Sequence, residues 1–97
     1  MADRDDILID DIEATFRSAY RRYRRSDPVE QDEMFDTLES AAKEWVVAQR
    51  KLVEKDERAT QDHLNQMRSV KRDIDDAANA QEFTIALARL VAFLVAL

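Results

Sequence analysis

From Leu8 onward, apolar side chains return every three or four residues, at Leu8, Ile12, Phe16, Ala19, Tyr20 and Tyr23. That spacing stacks them on one face of a 3.6-residue helix. It predicts a first helix over about 5–25 with this stripe buried. A second, broader stripe runs through Met34, Phe35, Leu38, Ala41, Ala42, Trp45, Val46, Leu52 and Val53. Within it Leu38, Trp45 and Leu52 lie seven apart, which suits packing on another helix at a shallow angle. This predicts a helix over about 28–55. Leu64, Met67, Val70, Ile74, Ala77 and Ala78 form a third set and predict a helix over about 60–78. The last segment, Phe83 to Leu97, reads FTIALARLVAFLVAL, with Arg89 as its single charge. It predicts a helix over about 81–97 that is apolar on every side, and such a helix must be buried on every side.

The boundaries have local causes. Proline tolerates the first helical position, and in Ser26-Asp27-Pro28 the aspartate stands three residues before Glu30, the spacing of a capping box. Asn79 and Glu82 repeat that spacing ahead of the apolar segment. Between the second and third stripes, residues 54–62 (EKDERATQD) are polar but hold no Gly, Pro or Asn. A turn near 56–61 with Thr60 as a cap is the preferred expectation. The alternative is one continuous rod from Pro28 to Ala78, about 75 Å long at 1.5 Å per residue.

Composition narrows the classes of function. The 97-residue chain holds no cysteine and no glycine and a single proline. Disulfides, cysteine zinc sites and thiol chemistry are excluded, as are glycine-rich phosphate loops. With 37% charged beside 45% hydrophobic residues, the composition suits amphipathic helices in one small domain over 1–97. A core of this size is marginal alone. Together with the all-apolar last segment, this leads to the expectation of a homodimer or higher homo-oligomer, with a hetero-partner as the other possibility. The acidic, interrupted N-terminus has the form of neither a signal nor a transit peptide, so a cytoplasmic location is expected. Fifteen apolar residues reach about 22 Å, short of the ~30 Å hydrocarbon core, so no membrane span is expected.

The densest candidate for chemistry is RSAYRRYRR. Arg17, Arg21, Arg22, Arg24 and Arg25 follow an acidic first half of the same helix. Bases at a helix end suit its dipole, and arginine forks also bind phosphate or carboxylate. Tyr20 and Tyr23 share the face of Phe16 and Ile12, which makes them core residues before stacking platforms. A net charge of −6 repels a polyanion outside the patch. Contact with an acidic protein surface, including the acidic half of a second copy, is therefore preferred to nucleic acid.

Two carboxylate pairs, Glu30/Glu33 and Glu54/Glu57, are similar in spacing to the paired acidic motifs of helical nucleotide pyrophosphohydrolases of the MazG type. That resemblance implies magnesium-dependent hydrolysis of a nucleotide. The second pair departs from it by ending in Glu57 where the family has an aspartate, and Glu33, Glu54 and Glu57 fall off the Leu38/Trp45/Leu52 stripe. The enzyme reading is thus a distant third. His63 is the only histidine and lacks a Glu three residues before it, so neither a di-iron motif nor a zinc site forms around it. No catalytic residue, cofactor or metal is expected.

The sequence thus leads to an all-α fold: a three- or four-helix antiparallel bundle, or a long helical hairpin, completed by oligomerisation. Its expected role is a non-enzymatic protein-interaction module, such as an adaptor, assembly factor, inhibitor or regulatory subunit. The expected protein interface is Trp45, Phe83, Leu87, Leu90, Val91, Phe93 and Leu94. The alternative is a helical nucleic-acid-associated regulator using Arg17–Arg25.

Overall fold

A computed structural model describes residues 3–54 and 59–97. All regular structure among them is helical: α1 (Arg4–Arg25), α2 (Pro28–Glu54), α3 (Gln61–Asp76) and α4 (Ala80–Ala96). The ends differ from the expected 5–25, 28–55, 60–78 and 81–97 by a residue or two.

Each helix start is set by a side chain that satisfies an orphan amide. The Asp3 carboxylate accepts from the Asp6 N–H at 2.8 Å. At α2 the capping box closes both ways, with the Glu30 N–H donating to Asp27 Oδ1 at 2.9 Å and the Asp27 N–H to Glu30 Oε1 at 3.4 Å. At α3 the His63 N–H donates to Thr60 Oγ1, and the Thr60 N–H donates to His63 Nδ1, both at 3.1 Å. At α4 the Glu82 N–H donates to Asn79 Oδ1 at 2.9 Å, while the Glu82 carboxylate reaches one residue further out, to the Ala78 N–H at 2.8 Å.

The molecule measures 42 × 22 × 19 Å. A rod of about 75 Å from Pro28 to Ala78 cannot fit within 42 Å, so the continuous-helix alternative and the long hairpin built on it are corrected to four separate helices. The expected turn at 56–61 falls largely on residues 55–58, which lie outside the described residues. Its described edge is Ala59, which is buried, and Thr60, which is extended ahead of Gln61.

Successive helices alternate in direction, yet the bundle is not antiparallel throughout. The Ala59 N–H donates to Asp5 Oδ1 at 2.7 Å at one end of α1, and Arg22 donates to the Ala77 carbonyl at 2.6 Å near the other, so α1 and α3 run parallel. α3 and α4 are antiparallel, with Arg89 on Asp73 and the Phe93 ring edge-on to His63 at 6.1 Å. It follows that α2 and α4, the most extensively packed pair, are also parallel. Around the bundle the order is α1, α2, α4, α3, so α2 and α3 lie on a diagonal.

The interior is one cluster drawn from all four helices, including Leu8, Ile12, Met34, Met67, Ile74, Phe83, Leu87 and Leu90. Thr15, fully buried, returns its hydroxyl proton to the Asp11 carbonyl at 2.7 Å, so its burial leaves no donor orphaned.

This cap geometry carries a prediction. Gln61 is the first residue of α3, a position whose N–H has no intrahelical acceptor, and Thr60 before it is extended at φ −108° and ψ 168°. Proline fits both conditions. Gln61→Pro should shift the thermal midpoint by only a few degrees with the helical circular dichroism unchanged. Melting of α3 would show that Gln61 lies inside a helix.

Candidate functional site

The arginine cluster is divided by the structure. Arg22 belongs to the fold: its Nη1 donates to the Ala77 carbonyl at the end of α3, and its guanidinium lies 5.4 Å from the centre of the Phe83 ring. It satisfies a terminal carbonyl and covers the aromatic base of α4 in one contact. Arg21 and Arg25 line an open polar cleft of about 350 Å³ together with Ser18, Ser26, Glu30 and Asp75. Two carboxylates therefore already stand beside those two cations. Arg17 and Arg24 are exposed on the other flank, beside α2. Among the described residues, no ion pair engages Arg17, Arg21, Arg24 or Arg25.

Between α1 and α2 the packing is lighter than between α2 and α4, and rings carry it. Phe16 stacks on Trp45 with centroids 6.5 Å apart and planes at 24°, and Tyr20 follows at 6.3 Å from Phe16. Outside this ladder runs a groove of about 200 Å³ lined by Tyr20, Tyr23, Phe35, Leu38, Glu39 and Ala42. Tyr20 is 45% exposed and Phe35 49%. Farther along α2, Val46 and Val53 continue the same stripe at 67% and 77% exposure. The end of the groove is fixed by the α1–α2 corner, where the Tyr23 carbonyl accepts from both the Ser26 N–H (3.2 Å) and Gln31 Nε2 (2.9 Å).

The residues expected to form the protein interface take other places. Phe83, Leu87, Leu90, Phe93 and Leu94 lie in the chain's own core, Val91 is half-buried at its edge, and Trp45 is half-buried in the α1–α2 seam. The expectation that α4 needs another chain to bury its apolar side chains is met for this half of the helix by α2 and α3. The other half, with Ile85, Ala88, Ala92 and Val95, is exposed. Sequence periodicity missed this division because every side of α4 reads alike. It also made Tyr20 a core residue and placed Phe35, Val46 and Val53 on the broad face of the second helix, since a stripe does not reveal how far a neighbour will cover it.

The carboxylate pairs do not converge. Glu30 is occupied in the α2 cap and Glu54 pairs with Arg50 at 3.2 Å, near opposite ends of a 27-residue helix, about 36 Å apart. Glu33 is exposed, and Glu57 lies outside the described residues. Among the described residues no group of three or more His, Cys, Asp or Glu side chains could hold a metal ion. His63 accepts the Thr60 N–H through Nδ1, which puts the proton of the neutral ring on Nε2 and gives this histidine a capping role. No described helix is long and apolar enough to cross a membrane.

Comparison with known proteins finds no matching family, no similar curated sequence and no similar solved structure.

Proposed function

We propose that this chain is a non-enzymatic protein-interaction module that works in an assembly through the outer seam of α1 and α2. One observation carries the reading: Tyr20, Phe35, Val46 and Val53, large apolar side chains that are 45–77% exposed, share the α1–α2 seam. Single exposed apolar residues are ordinary, whereas several along one seam, two of them aromatic, suit a surface that another protein covers. Aromatic rings contribute most to such contacts, since each buries ~150–250 Å².

A photoreactive benzoylphenylalanine in place of Phe35, compared with one at exposed Asn65 on α3, tests this in cells. Protein adducts at position 35 and none at 65 are expected. Absence of adducts at 35, or equal adducts at both sites, would overturn the reading. The nucleic-acid alternative is read separately, by gel shift with duplex and single strands at low salt. No shift at micromolar protein is expected, and tight, steeply salt-dependent binding would replace the protein reading with the nucleic-acid one.

A further inference from the structure

Two apolar surfaces are left uncovered by the bundle, and their sizes differ. The exposed side of α4 is one helix wide, about 25 Å by 10 Å for its 17 residues, or on the order of 250 Å². The α1–α2 face, counted with the charged residues that flank its seam, is two helices wide and runs the 22 residues of α1, about 33 Å by 20 Å, or on the order of 650 Å². A standard stable interface takes ~800 Å² from each partner, so the seam approaches that size and the α4 face alone does not.

Charge then identifies the occupant. Along α1 the charged residues on the flank of Tyr20 are Asp6, Asp10 and Glu13 in the first half, then Arg17 and Arg24 in the second. All five are exposed. On α2, which runs the opposite way, the seam is flanked by Asp32 and Glu39 beside the basic end of α1. Lys43, two residues from the Trp45 that stacks on Phe16, is level with Arg17 and pairs with Glu39 at 3.3 Å, while Arg50, nearer the acidic end of α1, pairs with Glu54 at 3.2 Å. The α1 side of the face is therefore acidic in one half and basic in the other, while the cations of α2 are paired on their own helix. Rotating a copy by 180° about an axis across the seam sets the acidic half of α1 over the basic half of its twin. A surface that is its own complement is what a two-fold interface requires.

Resting on the protein-interaction reading above, we propose that the partner on this face is a second copy of the chain, with two α1–α2 pairs stacked seam to seam. The unpaired Arg17 and Arg24 of each copy meet carboxylates of the other, and Tyr20, Phe35 and Val46 are covered between them. The net charge of −6 opposes the approach of two copies. That repulsion is screened beyond about 8 Å at physiological salt, whereas contacts across the closed seam lie inside that distance.

Light scattering of the purified chain with its natural sequence should give twice the 11.3 kDa of one copy. Arg17→Glu combined with Arg24→Glu should return the mass to one copy with the helical circular dichroism unchanged, because both side chains are exposed. Phe35→Glu, on the other helix, should do the same. Arg68→Glu with Arg72→Glu, exposed on α3, should leave the doubled mass intact. A single-copy mass for the natural chain up to millimolar concentration would overturn the proposal. So would a doubled mass that survives both seam variants. If the natural chain has a single-copy mass yet position 35 still crosslinks to another protein, self-association fails while the protein-interaction function stands; if both fail, so does the reading beneath it.

Discussion

Leu90→Asp should leave the chain unfolded or close to it at 25 °C, while Ala92→Asp, two residues further along the same helix, should leave it folded. Leu90 has no exposed surface and sits in the common core with Leu87 and Phe83. The substitution gives up the burial of a leucine, worth ~1.5–3 kcal/mol, and puts a carboxyl group where no partner awaits it, at several kcal/mol more. The total is comparable to the ~5–15 kcal/mol stability of a small domain. Ala92 points outward, and a charge there costs under ~1 kcal/mol. Denaturant titration followed by circular dichroism reads both. If Ala92→Asp also unfolds the chain or changes its solution mass, the outer side of α4 is buried in an assembly. If Leu90→Asp remains folded, α4 does not face the core as described.

The same helix shows how far a sequence can be read. Its start was legible because the Asn79 cap and Glu82 are local: the atoms that satisfy the first amides lie within four residues of them. The Asp27–Glu30 cap and the Thr60 cap were legible for that reason as well. His63 was not recognised as the reciprocal half of the Thr60 box, because Glu or Gln usually fills that position and the imidazole Nδ1 does the same work here. Which side of α4 faces inward left no trace, since a helix apolar on every side has no polar face to point at water. Arg22 was indistinguishable from its four neighbours, because its acceptor at Ala77 is 55 residues away and is supplied only when α1 and α3 lie parallel. The candidate seam was half legible. Its residues were on the expected stripes, but the stripes did not show that Phe16 and Trp45 meet in the seam while Tyr20 and Phe35 stay exposed.

The parallel arrangement of α1 and α3 leads to the second large effect. Asp5, in the first turn of α1, is 93% buried, and its Oδ1 accepts the Ala59 N–H at 2.7 Å across 54 residues of sequence. A buried carboxylate against a backbone amide is a charge-assisted bond, stronger than a neutral one, and removing the acceptor leaves the buried amide unsatisfied. The bond also fixes where the chain begins α3, two residues before Gln61. Asp5→Ala should therefore cost about 2 kcal/mol, which for a chain of this size lowers the thermal midpoint by ~8–16 °C. Hydrogen exchange at Ala59 and through the first turn of α3 should accelerate more than exchange in α4, because the lost contact anchors α3 alone. A loss spread evenly over the four helices would mean that Asp5 supports the whole fold through other contacts. An unchanged midpoint would show that the Ala59 amide finds another acceptor and that α1 does not hold the start of α3.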